Sequence, residues 1–278
     1  MFEKFKKVTV RPTNPGLFEC RVAASVLTDQ GPHRQTNEDS GQVIVSDNGV
    51  LVIVADGMGG HQGGEVASAM AVRMVGEVYG AAEANPGTAL VEAVEEANRE
   101  IYDVARRHEQ LRGMGTTCTA VAVVNGLAYS AHVGDSRAYL VRGEQIYRMT
   151  EDHSATMAMV KQGMLTIEEA REHEDRNVIL RAVGTHEEVE VATWERPLAL
   201  HPGDRMLLCS DGLHDVVEDV EMCAIAGSNE PAEACARLVK LALDRDCTDN
   251  VTVAVLRVYG ASERNGAGPK VTREVETR

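Results

Sequence analysis

The residues of this chain with the most chemical potential are carboxylates at the ends of apolar runs. The run 50–55 leads straight into Asp56, Gly57, Met58, Gly59 and Gly60. Residues 131–133 lead into Gly134, Asp135 and Ser136, and 206–209 into Ser210, Asp211 and Gly212. Asp249 and Asn250 stand immediately before the apolar run 251–256. Burying a bare carboxylate is costly unless it is paired or bound to a metal. Few arginines accompany these positions, so pairing with a cationic side chain is not evident. Taken singly, each aspartate is better read as a turn former, because Asp-Gly is a common turn dipeptide. Four such aspartates at strand ends are harder to explain that way. Glycine lets a backbone carbonyl approach an ion closely. Oxygen donors with little His or Cys suit Mg2+ or Mn2+. Paired ions bridged by a carboxylate suit phosphoryl hydrolysis, because they generate a nucleophile from water and stabilise both entering and leaving oxygens.

A second cluster, Arg34, Asn37, Glu38 and Asp39, precedes the first strong strand signal. An arginine near acidic metal ligands suggests an anion clamp, since its planar fork matches two phosphate oxygens. Taken alone, Arg34 reads as a surface residue in a loop salt bridge.

These groups need elements to hold them. Residues 43–45 and 50–55 are β-rich and separated by Asp47, Asn48 and Gly49, a hairpin signature. A helix is expected near 63–80, with Val66, Met70, Met74 and Val78 as its apolar stripe. A second helix starts with Asn85 as N-cap and Pro86 in its first position, with Leu90, Val94, Ala97, Ile101 and Ala105 as its stripe. Residues 117–124, 127–133 and 136–142, joined through Asn125-Gly126 and closed at Gly143, read as an antiparallel meander. Residues 153–180 are polar and helical in character, 205–210 form a strand, 231–245 a helix opened by Pro231, and 251–258 a last strand. Hairpins with Gly turns and helices in pairs argue for antiparallel sheets covered by helices, not a doubly wound parallel sheet. Residues 1–20, with Pro12, Pro15 and Gly16, read as an irregular lead-in, 21–258 as one domain, and 259–278 as a disordered tail.

Composition excludes several classes. With 44% apolar and 26% charged residues, the 278-residue chain has the balance of a globular protein and is not mainly disordered. Its 28 basic and 43 acidic residues give a net charge of −15, which opposes general nucleic-acid binding. No run of about 18 apolar residues is present, so membrane insertion is not expected. The basic stretch 1–13 lacks the apolar core of a signal peptide. The six cysteines form no CxxC pair, so a structural zinc site has no support. Cys118 and Cys209 read as buried thiols, and a reducing cytoplasm is the simplest compartment.

Seven segments, in order, resemble the metal-dependent protein phosphatase family (protein phosphatase 2C) in its bacterial form. They contain Arg34 with Asn37, Glu38 and Asp39; Asp56 to His61; Gly113 to Thr117; Gly134 to Arg137; Thr150 to Ser154; Ser210 to Leu213; and Asp249 to Thr252. The resemblance spans about residues 22–258. It implies an α+β fold of two stacked antiparallel sheets flanked by helices on both sides, a four-layer α-β-β-α sandwich. It implies Mg2+- or Mn2+-dependent hydrolysis of phosphoserine and phosphothreonine on proteins by a metal-bridging hydroxide. A Ser/Thr protein kinase acting on the same substrates would be its counterpart.

By matching positions, Asp56 would bridge two ions and Gly57 would offer its carbonyl. Asp211 and Asp249 would complete the second ion's ligands, while Glu38 and Asp39 would hold bound waters. Asp135 matches the residue that binds a third ion in bacterial members. Asp211 would be shared with that site, Asp215 lies near it in sequence, and Asn177 falls where some members offer a ligand from a flap, here 153–180.

One departure concerns the leaving group. Eukaryotic members carry a His two residues after the bridging Asp, whereas this chain has Met58, which cannot donate a proton. His61 or a bound water would serve instead. His132 reads as a strand histidine, and His153 as one opening the flap. Other readings of the chain are a catalytically dead phosphoprotein-binding module, a hydrolase of small phosphate esters, and a structural scaffold. No metal ligand is lost, which opposes the first, and a scaffold leaves the strand-end carboxylates unexplained.

Overall fold

The computed structural model describes residues 5–8, 21–46, 49–59 and 63–260. The elements in chain order are β1 (Phe5–Val8), β2 (Arg21–Asp29), β3 (Asp39–Ser46), β4 (Gly49–Met58), α1 (Gly63–Ala81), α2 (Pro86–Arg107), β5 (Gly115–Thr116), β6 (Cys118–Val124), β7 (Leu127–Val133), β8 (Arg137–Arg142) and β9 (Gln145–Arg148). They continue with α3 (Ala155–Lys161), α4 (Ile167–Glu172), β10 (Leu198–Ala199), β11 (Arg205–Cys209), α5 (Asp211–His214), α6 (Asp219–Ser228), α7 (Pro231–Asp244) and β12 (Val251–Tyr259). One sheet runs β1-β2-β12-β11-β8-β9 and the other β10-β7-β6-β4-β3, with β5 added to β4. All pairings between these strands are antiparallel.

Both faces of the central strands are buried, and period-two alternation sorts their side chains into separate layers. On β4, Val50, Val52 and Val54 face the other sheet, packing with Met206, Leu208, Ala254 and Leu256. Leu51 and Ile53, on the opposite face, pack with Ala67, Val75, Leu90 and Ile101 of α1 and α2. On the second sheet, Leu207 and Val253 turn outward to Leu238 and Val239 of α7. Three core layers separate four layers of structure, the α-β-β-α sandwich.

Helix α2 begins where Asn85 and Pro86 place it, with the Asn85 side chain accepting from Gly87 N at 3.0 Å, and its stripe is buried. In α1 the deeply buried line is Gly64, Ala67, Ala71, Val75 and Tyr79, whereas Val66, Met70, Met74 and Val78 lie half-buried beside it. Small residues bring the helix axis close to the sheet, and the larger ones flank the contact. The expected meander does not form. β7 pairs with β6, but β8 crosses to the other sheet and pairs with β9 and β11. Gly134 makes that change of sheet at φ +106°, a left-handed conformation that glycine adopts without penalty.

Two boundaries also differ. Residues 5–8, inside the stretch expected to be irregular, pair with β2 as an edge strand. β12 runs on to Tyr259, one residue into the expected tail. Residues 261–278, His61, Cys20, and Asp47 and Asn48 of the hairpin turn lie outside the described residues. The strands on either side of that turn do pair, closing at Ser46 and Gly49.

Candidate metal centre

Antiparallel pairing sets Asp39 on β3 directly across from Asp56 on β4. The second sheet brings its own pair to the same end. Asp211 opens α5 directly after β11, and Asp249 stands two residues before β12. Asp135 follows Gly134 in the crossing between the sheets. Both sheets therefore contribute carboxylates to one end of the sandwich.

The backbone there is crowded. A Cβ on Gly57 would lie 2.1 Å from Gly64 O and 2.6 Å from Glu38 O, so only glycine fits between these segments. Gly57 N donates to Glu38 O at 3.1 Å. Glu38 N in turn donates to Asn250 Oδ1 at 2.8 Å, and Asn250 Nδ2 donates to Gln30 O and Thr36 O at 2.7 and 3.0 Å. Buried Ser210 donates its hydroxyl to Asp39 Oδ2 at 2.7 Å and accepts from Thr252 N at 2.9 Å. Ser210 and Asn250 were not singled out from sequence as supports. Their neighbours in the motifs are aspartates, which draw the functional reading, and only the sheet-to-sheet geometry shows the two side chains tying segments together.

The electrostatics of the cluster call for a counter-charge. Asp39 Oδ1, Asp135 Oδ1 and Asp211 Oδ1 are buried and have no hydrogen-bond partner. Burial raises the pKa of Asp56 well above the usual carboxylate range, reinforced by Asp39, Asp211, Asp135 and Asp249. Burial, then Asp135 and Asp249, pushes Asp211 up to about 8. Burial, then Asp152, pushes Asp135 up to about 7, and burial pushes Asp39 up to about 6 against the Ser210 hydrogen bond. Glu38 is raised by burial as well.

Asp152 serves as an internal control. It too is buried, but bonds from Arg137 at 2.7–3.2 Å overcome the burial and hold it down at about 2. A buried carboxylate with a cation stays ionised, and those of the cluster have none except at one point. That point is Asp249, whose Oδ2 lies 2.5 Å from Arg34 Nη2, while Arg34 Nε donates to Thr248 O at 3.3 Å. Arg34 therefore does pair with one of the four strand-end aspartates.

The donor set fits hard divalent cations. It is oxygen-only, several of its oxygens are orphaned, and its charges repel one another. Among the described residues no three His, Cys, Asp or Glu side chains are drawn close enough together to hold an ion by themselves. Ions that keep much of their water and need few direct protein ligands suit such an open set.

The peripheral candidates divide. Asp215 Oδ1 lies 3.2 Å from His214 Nδ1 and its Oδ2 3.9 Å from Arg176 Nε. Burial raises the Asp215 pKa, but the His214 contacts, with Arg137 and Arg176, outweigh it and lower the pKa overall. Asp215 also adds its charge to that felt by Asp211 and Asp135. Asn177 is exposed in the segment after α4, and the neighbour that approaches Asp215 from there is Arg176. His214, buried and 3.2 Å from Asp135 O through Nε2, lacks any sequence signal beyond following Leu213. His132 is held between Thr119 Oγ1 at 2.9 Å and Glu151 O at 3.0 Å. His153 Nδ1 accepts from Gly134 N at 3.0 Å. Burial drives both histidines down to about 4, so they are neutral, engaged supports. Burial drives Cys118 up to about 12 and Cys209 higher, so neither thiol is a nucleophile.

Oxygen-only carboxylates at the shared end of two stacked sheets, with an arginine at their rim, define a metal-dependent phosphatase of the α-β-β-α class. The chain belongs to the protein phosphatase 2C family, whose model matches residues 32–240. It is 38% identical over 240 residues to the serine/threonine phosphatase stp of Listeria monocytogenes, covering 84% of this chain and 94% of that protein. The crystal structure of the Mycobacterium tuberculosis serine/threonine phosphatase PstP/Ppp is similar with a TM-score of 0.78 at 36% identity, over 86% of this chain and 99% of that one. A structure of the PstP catalytic domain in complex with two manganese ions is similar with a TM-score of 0.75 at 35% identity, over 86% of this chain and 99% of that one. No helix among the described residues is long and apolar enough to cross a membrane.

Proposed function

We propose that this enzyme hydrolyses phosphoserine and phosphothreonine on proteins with two core Mn2+ or Mg2+ ions and a third, weaker one. In this reading it reverses a Ser/Thr protein kinase in the cytoplasm. The core domain is 21–258, and 153–180 is the flap beside the cleft. Asp56 would be held in common by the core ions, the Gly57 carbonyl would serve one of them, and Asp211 and Asp249 would serve the other. Glu38 and Asp39, held by Asn250 and Ser210, orient bound water. Asp135 would hold the third ion with Asp211, and Asp215 stands beside that pair.

Bound divalent ions supply a water of lowered pKa and a positive field for the transferring phosphoryl group. The residues of the chain supply the rest. Arg34, at the exposed rim, exchanges part of its contact with Asp249 for two phosphate oxygens and so fixes the phosphoryl group in line. Gly57 allows the close backbone approach. His132 and His153 are neutral and engaged, so neither is poised to protonate the leaving oxygen.

The observation that carries the reading is the convergence of Asp39, Asp135 and Asp211, each with a buried oxygen lacking a hydrogen-bond partner, on a buried Asp56 whose charge they oppose. The test is phosphate release from a phosphothreonine peptide, with and without Mn2+, by wild type and Asp211→Asn. Metal-dependent release lost in the variant is expected. Release from sugar phosphates but from no phosphopeptide would replace the protein substrate by a small ester.

A further inference from the structure

Thr117 sits between β5 and β6 and belongs to neither strand. Its Oγ1 accepts from Asp56 N at 2.8 Å, and its own N–H donates to Asp56 O at 2.8 Å. It therefore grips both polar groups of the Asp56 backbone. The same hydroxyl lies 2.7 Å from Ser136 Oγ. Ser136 directly follows Asp135, and its carbonyl accepts from Thr119 Oγ1 at 2.9 Å. Thr117 also packs against the crossing itself, since a Cβ on Gly134 would lie 2.6 Å from Thr117 Cγ2. Thr117, Thr119 and Ser136 are fully or almost fully buried, so no water competes for these bonds. Because Thr117 Oγ1 takes the Asp56 N–H, its own proton is free to go to Ser136 Oγ.

We infer that Thr117 is a positioning residue that sets the separation of the Asp56 and Asp135 carboxylates. It does so through one buried hydroxyl shared between the Asp56 backbone and Ser136. The proposal rests on the metal reading above and adds to it a specific support. Asp56 comes from the end of a strand in one sheet, and Asp135 from the crossing into the other. The Thr117–Ser136 hydrogen bond links the backbone grip on Asp56 to the residue that follows Asp135. Without the hydroxyl, Asp56 N is left as an unsatisfied buried donor and the crossing loses its direct tie to the Asp56 backbone, keeping only Thr119 on the Ser136 carbonyl, so the two carboxylates gain room to drift. Groups that orient ligands in this way are worth roughly ten- to hundredfold in metal affinity.

The test measures Mn2+ binding by electron paramagnetic resonance on the metal-stripped full chain. The proteins are wild type, Thr117→Val, Thr117→Ser, Ser136→Ala and the Thr117→Val/Ser136→Ala double variant. Melting curves in chelator are recorded in parallel. Thr117→Val removes the hydroxyl and keeps the shape, so Mn2+ affinity should fall roughly ten- to hundredfold. Thr117→Ser should restore it. Ser136→Ala should lower affinity too, and the double variant should be no worse than the poorer single one, because both delete the same bond.

A merely structural role would lower the melting temperature in chelator and leave the affinity of the folded protein unchanged, which would overturn the proposal. Additive losses in the double variant would overturn it as well. If Thr117→Val does not fold, Ser136→Ala decides, and wild-type affinity in that variant sinks the idea. A wild type that binds no Mn2+ would sink the metal reading itself, which is a distinguishable failure.

Discussion

An aspartate that loses its water without gaining a partner has two ways to settle: take a proton or take a cation. Asp135 and Asp211, pushed up to about 7 and about 8, are in that position. A raised pKa means that the folded, metal-free protein binds more protons than the unfolded chain. Stability is then greatest at low pH and is lost as pH rises through the folded-state values. Between pH 7 and 8 these two groups titrate, Asp56, raised by burial and the same crowding, acts in the same direction, and the depressed histidines act below about pH 6.5.

The metal-free protein should therefore be more stable at pH 7 than at pH 8 by at least about 1 kcal/mol, or roughly 2–4 °C and upward. Saturating Mn2+ should abolish or reverse that difference, as calorimetry in chelator and in Mn2+ would show. An unchanged chelator melting temperature would mean that the carboxylates are not crowded as described. By the same logic, Asp56→Asn should end metal-dependent turnover and raise the melting temperature in chelator. Full activity in that variant would remove Asp56 from the bridging role. Arg34→Ala removes a charge-assisted contact of roughly 1.5–3 kcal/mol, so KM for a phosphopeptide should rise about tenfold or more. An unchanged KM would argue against the clamp.

At the scale of elements, the decisive piece is the crossing at Gly134. Its φ of +106° and the 2.6 Å approach to Thr117 Cγ2 leave no room for a side chain. Gly134→Ala should destabilise the protein by about 2–4 kcal/mol, combining left-handed strain with overpacking. The loss should appear in the denaturation midpoint, and a stability equal to wild type would show that the crossing tolerates a relaxed backbone.

The same crossing marks where sequence reading stopped. Alternation and turn residues reveal that 127–133 and 136–142 are strands, but they carry no mark of which sheet each joins. Sequential strands usually neighbour one another, so the meander was the natural expectation. Helix α2 was legible because Asn85, Pro86 and a stripe of larger apolar residues agree. The buried face of α1 was not, because glycine and alanine at a tight helix-sheet contact look less apolar than the valines and methionines flanking it. The aspartates of the site stood out through their strand-end setting and order. Thr117, Ser210 and His214 did not, since a hydroxyl or an imidazole in an apolar run has the same local signature whether it ties a site together or satisfies a nearby carbonyl.

The whole molecule adds a field to these local contacts. Asp39 and Asp56 come from one sheet, and Asp211 and Asp249 from the other, so bound ions would fasten the two layers. The chain carries a net charge of −15, and two divalent ions cancel only a small part of it. A phosphorylated peptide is itself anionic, so the long-range field opposes its approach. Basic residues flanking the phosphothreonine reverse the sign of that interaction, and steering of this kind changes association rates by roughly 10- to 1,000-fold. At low ionic strength, kcat/KM should therefore be about tenfold or more higher for a peptide with Lys and Arg flanks than for one with Glu flanks. Raising the salt towards 1 M shortens the screening length to about 3 Å, and the preference should collapse. A preference that persists at high salt would place the choice in direct contacts at the cleft. Equal kcat/KM at low salt would show that the acidic surface lies away from the approach path, leaving solubility as its role.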